Sequence, residues 1–455
     1  MMFHVEPSPP ERGTLTAALE ALSGEGYHRF HLPGHKGVLP PPLDGAARID
    51  MTELSRTGNL YDGRDGPIRR AERRCADLYG AGDALFLTGG ATQGVLAMLA
   101  AFAQPTVGCE PTVGDIVAVD RGCHRSVYAA MALLDLKPLY LTRERLAPCG
   151  AGAPLEPSPL PEETACVVLT CPTYYGVRSP DRGWRTVSGR PVPVLADAAH
   201  GAHLPFLPDG ASPLEGARAA VCSAHKTLPA LGQAAFLLLR DAGDASRARQ
   251  MTALFGTASP SYPVMASMDA AFAALERDGA ARWAETAAYA AELRAGCRGL
   301  LADAPDVPLD AARLCLYTGN GFRDAARLER EHGILCEMAD AGSVVFILTP
   351  HDPPESRSAL RRALGGFGDL PSPYTGRQRP PPLPEQALTL REAMFAPCEA
   401  VRLSAAVNRV AARALAPFPP GIPVAAPGEV IGKLHIEILS ELWYDKEEEE
   451  IWVVA

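Results

Sequence analysis

The sequence predicts an α/β protein with a mostly parallel sheet that is covered by helices on both faces. Between residues 84 and 240, short apolar runs alternate with runs that have helical spacing. The apolar runs are continuous and do not alternate with polar residues, which is typical of strands buried on both faces. Beyond residue 300 the alternation restarts on a smaller scale. We therefore expect a smaller α+β domain toward the C-terminus.

The individual elements follow from the same alternation, taken in chain order. The N-terminal part predicts helices at 13–23 and 67–78, with a segment of loop character at 50–62 between them. The predicted strands of the main domain are 84–88, 115–120, 166–170, 192–197, 219–222 and 234–239. Its predicted helices are 94–103, 125–134 and a helical region at about 265–303. The smaller domain predicts strands at 314–317 and 344–348 and helices at 321–332 and 354–365.

A chain of 455 residues is longer than one hydrophobic core usually organises, so we expect several domains. The predicted parts are an N-terminal arm at 1–62, a large domain at 63–300 and the small α+β domain at 301–370. The proline-rich stretch at 371–384 predicts a semi-rigid linker. It opens a last part, 371–455, that we expect to be partly helical.

Composition excludes several classes of function. The net charge of -10, without a cluster of Lys and Arg, argues against a nucleic-acid partner. The longest apolar run, at 95–103, is too short to cross a bilayer, so we expect no membrane partner. Eleven cysteines without a Cys-x-x-Cys pattern fit reduced thiols, and a cytoplasmic location is expected.

A metal site is not expected. His31 and His35 are four positions apart, which suits a metal site on a helix, but Pro33 and Gly34 stand between them and interrupt a helical face. No carboxylate or cysteine stands at ligand spacing beside them. We therefore predict that the chemistry of this protein does not use a bound metal ion.

One lysine lies between two of the apolar runs. The segment 223–228 reads Ser-Ala-His-Lys-Thr-Leu and follows the predicted strand at 219–222. Loss of hydration lowers the pKa of an amine, which is the condition for an amine that attacks a carbonyl carbon. Two interpretations of Lys226 are open at this point: a reactive amine, or a lysine on a surface loop.

A glycine-rich turn joins a predicted strand to a predicted helix at 88–94 (TGGATQG). Glycines let the backbone approach an anion, and a helix N-terminus offers unpaired N–H groups and a favourable dipole. The turn lacks the Gly-Lys-Ser/Thr of a P-loop, which disfavours a nucleoside triphosphate. A phosphate site and a purely structural turn both remain open.

Two further polar residues follow predicted strands. Asp197 ends a strand that is otherwise apolar. A carboxylate there either keeps the nitrogen of a pyridine ring protonated or serves as a cap or a buried acid paired with His200 or His203. His124 either lies flat on a cofactor ring or is a surface residue at the start of a helix. The residues alone leave both pairs of alternatives open.

Taken together, the motifs resemble those of the bacterial ornithine/lysine/arginine decarboxylases, which use pyridoxal 5'-phosphate. The matching motifs, in the same order, are 31–36 (HLPGHK), 50–54 (DMTEL), 88–94 (TGGATQG), 172–176 (PTYYG), 197–203 (DAAHGAH), 223–228 (SAHKTL) and 259–263 (SPSYP). Residues 419–423 (PPGIP) and 427–429 (PGE) resemble the C-terminal signature of that family. The resemblance covers roughly 28–435 and has the length of the short form without an N-terminal wing domain.

This resemblance implies the aspartate-aminotransferase fold, fold type I, and a homodimer or higher oligomer with shared active sites. It makes 63–300 the cofactor domain and places a substrate loop within 371–455. Lys226 is then the amine that bonds the cofactor, Asp197 the partner of its ring nitrogen and His124 the side chain stacked on the ring. The remaining cofactor contacts that the resemblance implies are Ala91, Thr92, Ala199, His200, Ser223, His225 and Thr257.

The implied reaction is α-decarboxylation of arginine, lysine or ornithine, a step of polyamine metabolism. His225, Lys226 or a nearby acid is expected to return a proton to Cα, and Glu429 is expected to bind the basic end of the substrate. The alternative for Glu429 is a helix N-terminal residue, in a helix that starts near Val430.

The chain departs from the family pattern at several positions. Gly89 and Ala91 replace the usual Asn and Ser of the phosphate loop, and Ala198 replaces a Glu. An acidic residue is usual where Gly58 or Asn59 stands. These changes keep open another pyridoxal-phosphate reaction, such as transamination, elimination or cyclisation of a modified amino acid.

Overall fold

The computed structural model describes residues 14–103, 115–179, 183–367, 370–416, 422–442 and 450–455. The first residues of the predicted arm and part of the predicted C-terminal signature, 419–421, therefore lie outside the described residues. The chain forms two compact units. The first joins Met1–Ala101 to Ala196–Glu285, and the second joins Phe102–Leu195 to Thr286–Ala455.

Helices and strands are numbered here in chain order. The helices are α1 (Thr14–Gly24), α2 (Asp44–Ile49), α3 (Pro67–Tyr79), α4 (Gly90–Phe102), α5 (Arg125–Leu134), α6 (Ala224–Thr227), α7 (Ala245–Leu254), α8 (Tyr262–Ala274), α9 (Ala280–Gly296), α10 (Gly321–His332), α11 (Pro354–Gly365), α12 (Leu390–Phe395) and α13 (Lys433–Leu442). The strands are β1 (Asp83–Leu87), β2 (Ile116–Asp120), β3 (Lys137–Leu141), β4 (Arg145–Pro148), β5 (Thr164–Thr170), β6 (Val194–Asp197), β7 (Ala219–Ser223), β8 (Ala235–Leu239), β9 (Arg313–Tyr317), β10 (Met338–Ala339), β11 (Ser343–Ile347), β12 (Tyr374–Gln378), β13 (Cys398–Arg402) and β14 (Glu450–Val454).

The α/β class predicted from the sequence is confirmed, and the central sheet is mostly parallel. The strands of the first unit lie in the order β1-β8-β7, and β6, whose last two residues belong to this unit, follows β7. Strand β8 is the exception to parallel pairing, because it runs antiparallel to both β1 and β7. Every residue of β1, β7 and β8 is buried. Their mostly apolar sequences therefore correctly indicated strands that are buried on both faces of the sheet.

Helix α3 shows how the local sequence fixes an element of the first unit. Pro67 stands at the start, where its missing N–H costs no helical hydrogen bond, and Gly80 ends the helix in the left-handed region at φ 60°. Ile68, Ala71 and Cys75 recur at helical spacing and are all buried. The helix therefore presents one apolar face to the core.

Helix α4 is held close to the sheet by a glycine. A Cβ atom at Gly94 would lie 2.6 Å from Leu87 Cδ1 and 2.8 Å from Val221 Cγ1, closer than packed atoms approach. Only glycine at this position lets α4 pack directly over β1 and β7. This close approach sets where the first turn of α4 stands relative to the ends of those strands.

The second unit contains several smaller sheets besides the parallel order β5-β2-β3. Strands β10-β11-β9 form an antiparallel sheet whose inner residues pack with α10 and α11 in one core cluster. Strand β12 pairs with β4, and β13 pairs with β14. The predicted small α+β region is therefore present, and the stretch predicted as a linker at 371–384 contains strand β12.

Several predicted bounds agree with the structure, including those of α5, α10 and α11. The predicted helix at 94–103 instead begins at Gly90, because two glycines at its start lowered the helical signal of its first turn. The predicted four-part division of the chain stays a prediction. None of the helices in the described part of the chain is both long and apolar enough to cross a bilayer.

Candidate active site

Three strands of the first unit end side by side. Leu87 of β1 and Ser223 of β7 both pair with Ala235 of β8, so the segments that follow β1 and β7 leave the sheet at the same edge. The segment after β6 joins them, because the Ala198 N–H donates to the Val221 carbonyl at 2.9 Å and the Ser223 N–H donates to Ala199 at 3.3 Å. Loops at one edge of such a sheet commonly form a binding site.

Lys226 lies in α6, a single helical turn that begins directly after β7. Its Nζ lies 3.0 Å from Nε2 of His200, which is on the segment after β6. His200 is 5% exposed and Lys226 is half-buried. The surface-loop interpretation of Lys226 therefore does not describe its surroundings, since a buried imidazole holds its amine at the sheet edge.

Asp197 is the last residue of β6 and is 4% exposed. Its Oδ1 accepts a hydrogen bond from the Ala199 N–H at 3.2 Å. Burial and the charge of Asp197 together raise the pKa of the Cys222 thiol on β7. The carboxylate is thus a buried negative charge at the end of the strand next to the one that carries Lys226.

The glycine-rich turn between β1 and α4 is held by specific contacts. Gly90 has φ 72°, in the left-handed region, and its N–H donates to the Gln233 carbonyl at 3.0 Å. The Gly89 N–H donates to Gln93 Oε1 at 2.9 Å, and Gln93 Nε2 donates to the Thr252 carbonyl at 2.9 Å. The turn and the first turn of α4 therefore have a fixed position at the edge where Lys226 lies.

Two buried hydroxyl groups flank this arrangement. Thr88 Oγ1, just after β1, and Thr227 Oγ1, at the end of α6, have no hydrogen-bond partner among the described residues. A buried hydroxyl without a partner is costly, so a ligand that offers oxygen atoms would stabilise both. Together with the N-terminus of α4, the amine of Lys226 and the carboxylate of Asp197, these groups form a set that fits the phosphate, carbonyl and pyridine of pyridoxal phosphate.

The structure places the other cofactor candidates of the first unit as follows. Ala91 and Thr92 lie in the first turn of α4, where Ala91 is half-buried and Thr92 is exposed. His225 Nδ1 lies 3.0 Å from the Ala234 carbonyl. Thr257 is exposed on the segment between α7 and α8, where its carbonyl accepts from Tyr61 Oη at 3.1 Å. The contacts thus join the strand-end residues to one another, whereas Thr257 is held by the N-terminal part of the chain.

Two predicted residues belong to the second unit. His124 is the N-cap of α5, and its Nδ1 accepts from the Ser126 N–H at 3.2 Å, so its predicted stacking on a cofactor ring stays a prediction. Glu429 is 1% exposed, and its carboxylate accepts from both terminal nitrogens of Arg121, at 2.8 and 2.7 Å. Its Oε2 also accepts from the Ala426 N–H at 2.7 Å. Helix α13 begins only at Lys433, so Glu429 is not a residue of its first turn.

Sequence reasoning missed the residues that hold these side chains. Gln93 fixes the glycine-rich turn, and Arg121 neutralises Glu429. One feature of the sequence could have pointed to Arg121. It directly follows the buried strand β2, as Asp197 ends the buried strand β6, and a charged side chain at such a position requires a partner. The identity of the partner was not readable, because Arg121 and Glu429 are 308 positions apart.

Comparison with known proteins agrees with this geometry. The family model "Orn/Lys/Arg decarboxylase, major domain" matches residues 13–304, and "Orn/Lys/Arg decarboxylase, C-terminal domain" matches 375–445. The uncharacterized protein YaaO of Bacillus subtilis is 31% identical over 94% of this chain and 94% of its own length. An arginine decarboxylase of Halalkalibacterium halodurans is 27% identical over 95% of this chain and 94% of its own length.

Among solved structures, the constitutive lysine decarboxylase of Escherichia coli has a TM-score of 0.77 at 20% identity and matches 98% of this chain and 82% of that chain. This likeness shows the fold, which is fold type I of the pyridoxal-phosphate enzymes. The two family models together cover most of the described chain. The protein is therefore an enzyme that belongs to the Orn/Lys/Arg decarboxylase family.

Proposed function

We propose that this enzyme uses pyridoxal 5'-phosphate to remove the α-carboxylate of a basic amino acid, namely arginine, lysine or ornithine. The products are the corresponding amine and CO2. The observation that carries the proposal is the pair formed by a buried carboxylate, Asp197, and an amine, Lys226, at neighbouring strand ends of the first unit. Family membership supports decarboxylation over the other reactions that such a pair can serve.

The bound cofactor supplies a pyridine ring that accepts the electrons left behind when CO2 departs. Asp197 holds a proton on the ring nitrogen, because a buried negative charge favours the cationic form of a neighbouring base. Lys226 holds the cofactor through Nζ, and His200, 3.0 Å away, orients that amine. His225, Lys226 or a nearby acid returns a proton to the substrate's Cα.

The phosphate is expected to lie against Ala91, Thr92, Ser223 and His225. The hydroxyls of Thr88 and Thr227, which have no hydrogen-bond partner among the described residues, are further candidates for this contact. The Ala91 contact uses its backbone N–H, because the side chain has no donor. His124 and Ala199 would contact the two faces of the cofactor's pyridine ring. It also includes a homodimer, in which Thr257 reaches the phosphate of the neighbouring subunit, and a cytoplasmic location.

The role proposed for Glu429 is to attract the basic end of the substrate. Both of its carboxylate oxygens already accept from Arg121. A substrate cation therefore gains from Glu429 only by competing with an arginine that is buried beside it. The two possible roles of Glu429 can be distinguished by experiment. Loss of its carboxylate should weaken substrate binding if it serves the substrate, and should lower the stability of the protein if it serves the fold.

The proposed reaction is tested by supplying the purified enzyme, saturated with pyridoxal phosphate, with arginine, lysine, ornithine and a neutral amino acid such as leucine. We expect one of the three basic amino acids to release CO2 and the matching amine in equal amounts, and leucine to release neither. Ammonia and 2-oxo acids are measured in the same samples. Release of either of these without CO2 would replace decarboxylation with another reaction of the same cofactor.

Replacing Asp197 with asparagine should leave the fold intact and lower the rate by roughly a hundredfold, about 2.7 kcal/mol in transition-state free energy. Asparagine has the same shape and can still accept from the Ala199 N–H, but it cannot hold a proton on a ring nitrogen. The measurement is kcat for the best amino acid, with the circular dichroism spectrum as the control for folding. A variant with normal kcat would show that Asp197 is only a structural acid.

A further inference from the structure

The second unit contains a cavity that the proposed function does not use. Its volume is about 420 Å³, which is within the usual range for small-molecule sites, roughly 300 to 1,000 Å³. Its wall comes from residues of the segments 121–122, 142–143, 148–150, 340–342, 380–384 and 422–424, from Arg145, Gly152, Tyr175, Tyr317 and Gly319, and from helix α13. Neither the strand-end residues proposed for the cofactor nor Glu429, proposed for the substrate, lines it.

Much of the wall is apolar. Four prolines and a leucine at 380–384 form one side, and Ile422, Val424 and Ile438 add aliphatic surface. Removing apolar surface of a ligand from water is favourable in such surroundings. The walls therefore suit a ligand with a hydrocarbon body.

Most charged groups of the wall already have partners inside the protein. Arg121 is paired with Glu429, and Arg143 is paired with Asp120 at 2.7 Å. Asp340 accepts from the backbone N–H groups of Gly342 and Ser343 and from the hydroxyl of Tyr175. These groups shape the cavity, but their charges are already balanced or hydrogen-bonded.

Arg145 is different. It lines the cavity and is half-buried, and among the described residues its guanidinium makes no hydrogen bond and no ion pair. A guanidinium in partly dehydrated surroundings is stabilised by an anion, and its planar fork matches a carboxylate with two parallel hydrogen bonds. Within the described part of the chain, the Arg145 guanidinium is thus a cation of the wall that no anion neutralises.

A neutral donor stands on the same wall. His435 is 9% exposed, and its Nδ1 accepts from the Gly432 N–H at 2.8 Å. The proton of the neutral ring therefore lies on Nε2, which can donate. Burial lowers the pKa of His435, so the ring adds a donor without adding a second charge at neutral pH.

We propose that this cavity binds a small organic anion, a molecule with an apolar body and one carboxylate, whose carboxylate pairs with Arg145. The apolar walls select the body, and the unpaired guanidinium selects the charge. The guanidinium of Arg145 also disfavours the basic amino acids of the proposed reaction, because it repels their cationic side chains.

The test is calorimetric titration of the cofactor-loaded enzyme with straight-chain monocarboxylates from acetate to hexanoate. We expect affinity to rise about fourfold per added methylene, the equivalent of about 0.8 kcal/mol per buried CH2. Arg145→Gln should weaken every member of the series by at least about tenfold, as expected for the loss of a hydrogen-bonded charge. Arg362→Gln, which removes an exposed arginine of α11 that does not line the cavity, should bind like the wild type.

A second variant keeps the proposal testable if Arg145→Gln does not fold. Ala341 is exposed on the cavity wall, so Ala341→Leu fills volume and leaves the charges unchanged. It should bind acetate normally and lose the gain with chain length. Equal affinities in Arg145→Gln and Arg362→Gln, or no gain with chain length in the wild type, would overturn the proposal. Inorganic phosphate that binds more tightly than hexanoate would also overturn it, because the apolar body would then have no role.

Discussion

The Lys226→Ala variant should fold and yet hold no covalently bound pyridoxal phosphate, and its decarboxylation rate should fall by at least about 10,000-fold. This loss corresponds to more than about 5 kcal/mol in transition-state free energy. The reason is that the amine of Lys226 is held at the sheet edge by His200, next to the strand that ends in the buried Asp197. The methyl group of alanine has no amine with which to form the bond to the cofactor's carbonyl carbon.

The measurement is borohydride reduction of the cofactor-loaded enzyme followed by peptide mass spectrometry, together with CO2 release. In the wild type the label should lie on the peptide that contains Lys226. Lys137→Ala is the matched control, because Lys137 is an exposed lysine at the start of β3, paired with Asp115. Label that persists in Lys226→Ala would remove the basis of the proposed function.

The Glu429→Gln variant should lower the free energy of unfolding by about 3–5 kcal/mol, because it leaves Arg121 buried without a negative partner. The pair is almost fully enclosed, with side-chain exposures of 8% for Arg121 and 1% for Glu429. The Arg121 guanidinium also lies 4.4 Å from the ring centroid of Tyr140, so an aromatic ring stacks against one of its faces. Denaturant unfolding of the variant and the wild type measures the difference.

Two controls separate this role of Glu429 from the proposed role in substrate binding. Glu292→Gln breaks an exposed pair with Arg361 and should cost less than about 1 kcal/mol. Replacing both partners, as Arg121→Met with Glu429→Leu, should recover most of the lost stability, since the cost comes from one unmatched charge. If Glu429→Gln unfolds like the wild type and only raises KM for the basic amino acid, the carboxylate serves the substrate and not the fold.

The sequence by itself determined the elements that depend on local order. Continuous apolar runs gave the buried strands β1, β7 and β8, and helical spacing gave the bounds of α5, α10 and α11. The sequence also indicated that Asp197 ends a strand and that Lys226 comes shortly after another strand, which made both of them candidates for a site. These features can be predicted from the sequence because local hydrogen bonding sets the geometry of a helix or strand. That geometry in turn sets the interval at which buried side chains recur along the segment.

Only the tertiary structure decided which groups meet across long stretches of chain. The partner of Glu429 is 308 positions away, and strand β12 pairs with β4 although its segment is rich in proline. That Arg145 has no hydrogen-bond or ion-pair partner among the described residues became visible only from the three-dimensional contacts around its cavity. Such pairings are set by packing, which brings together residues that are far apart in the chain. Their spacing along the chain follows no regular period. The sequence therefore shows that a buried charge needs a partner, but it does not show which residue provides it.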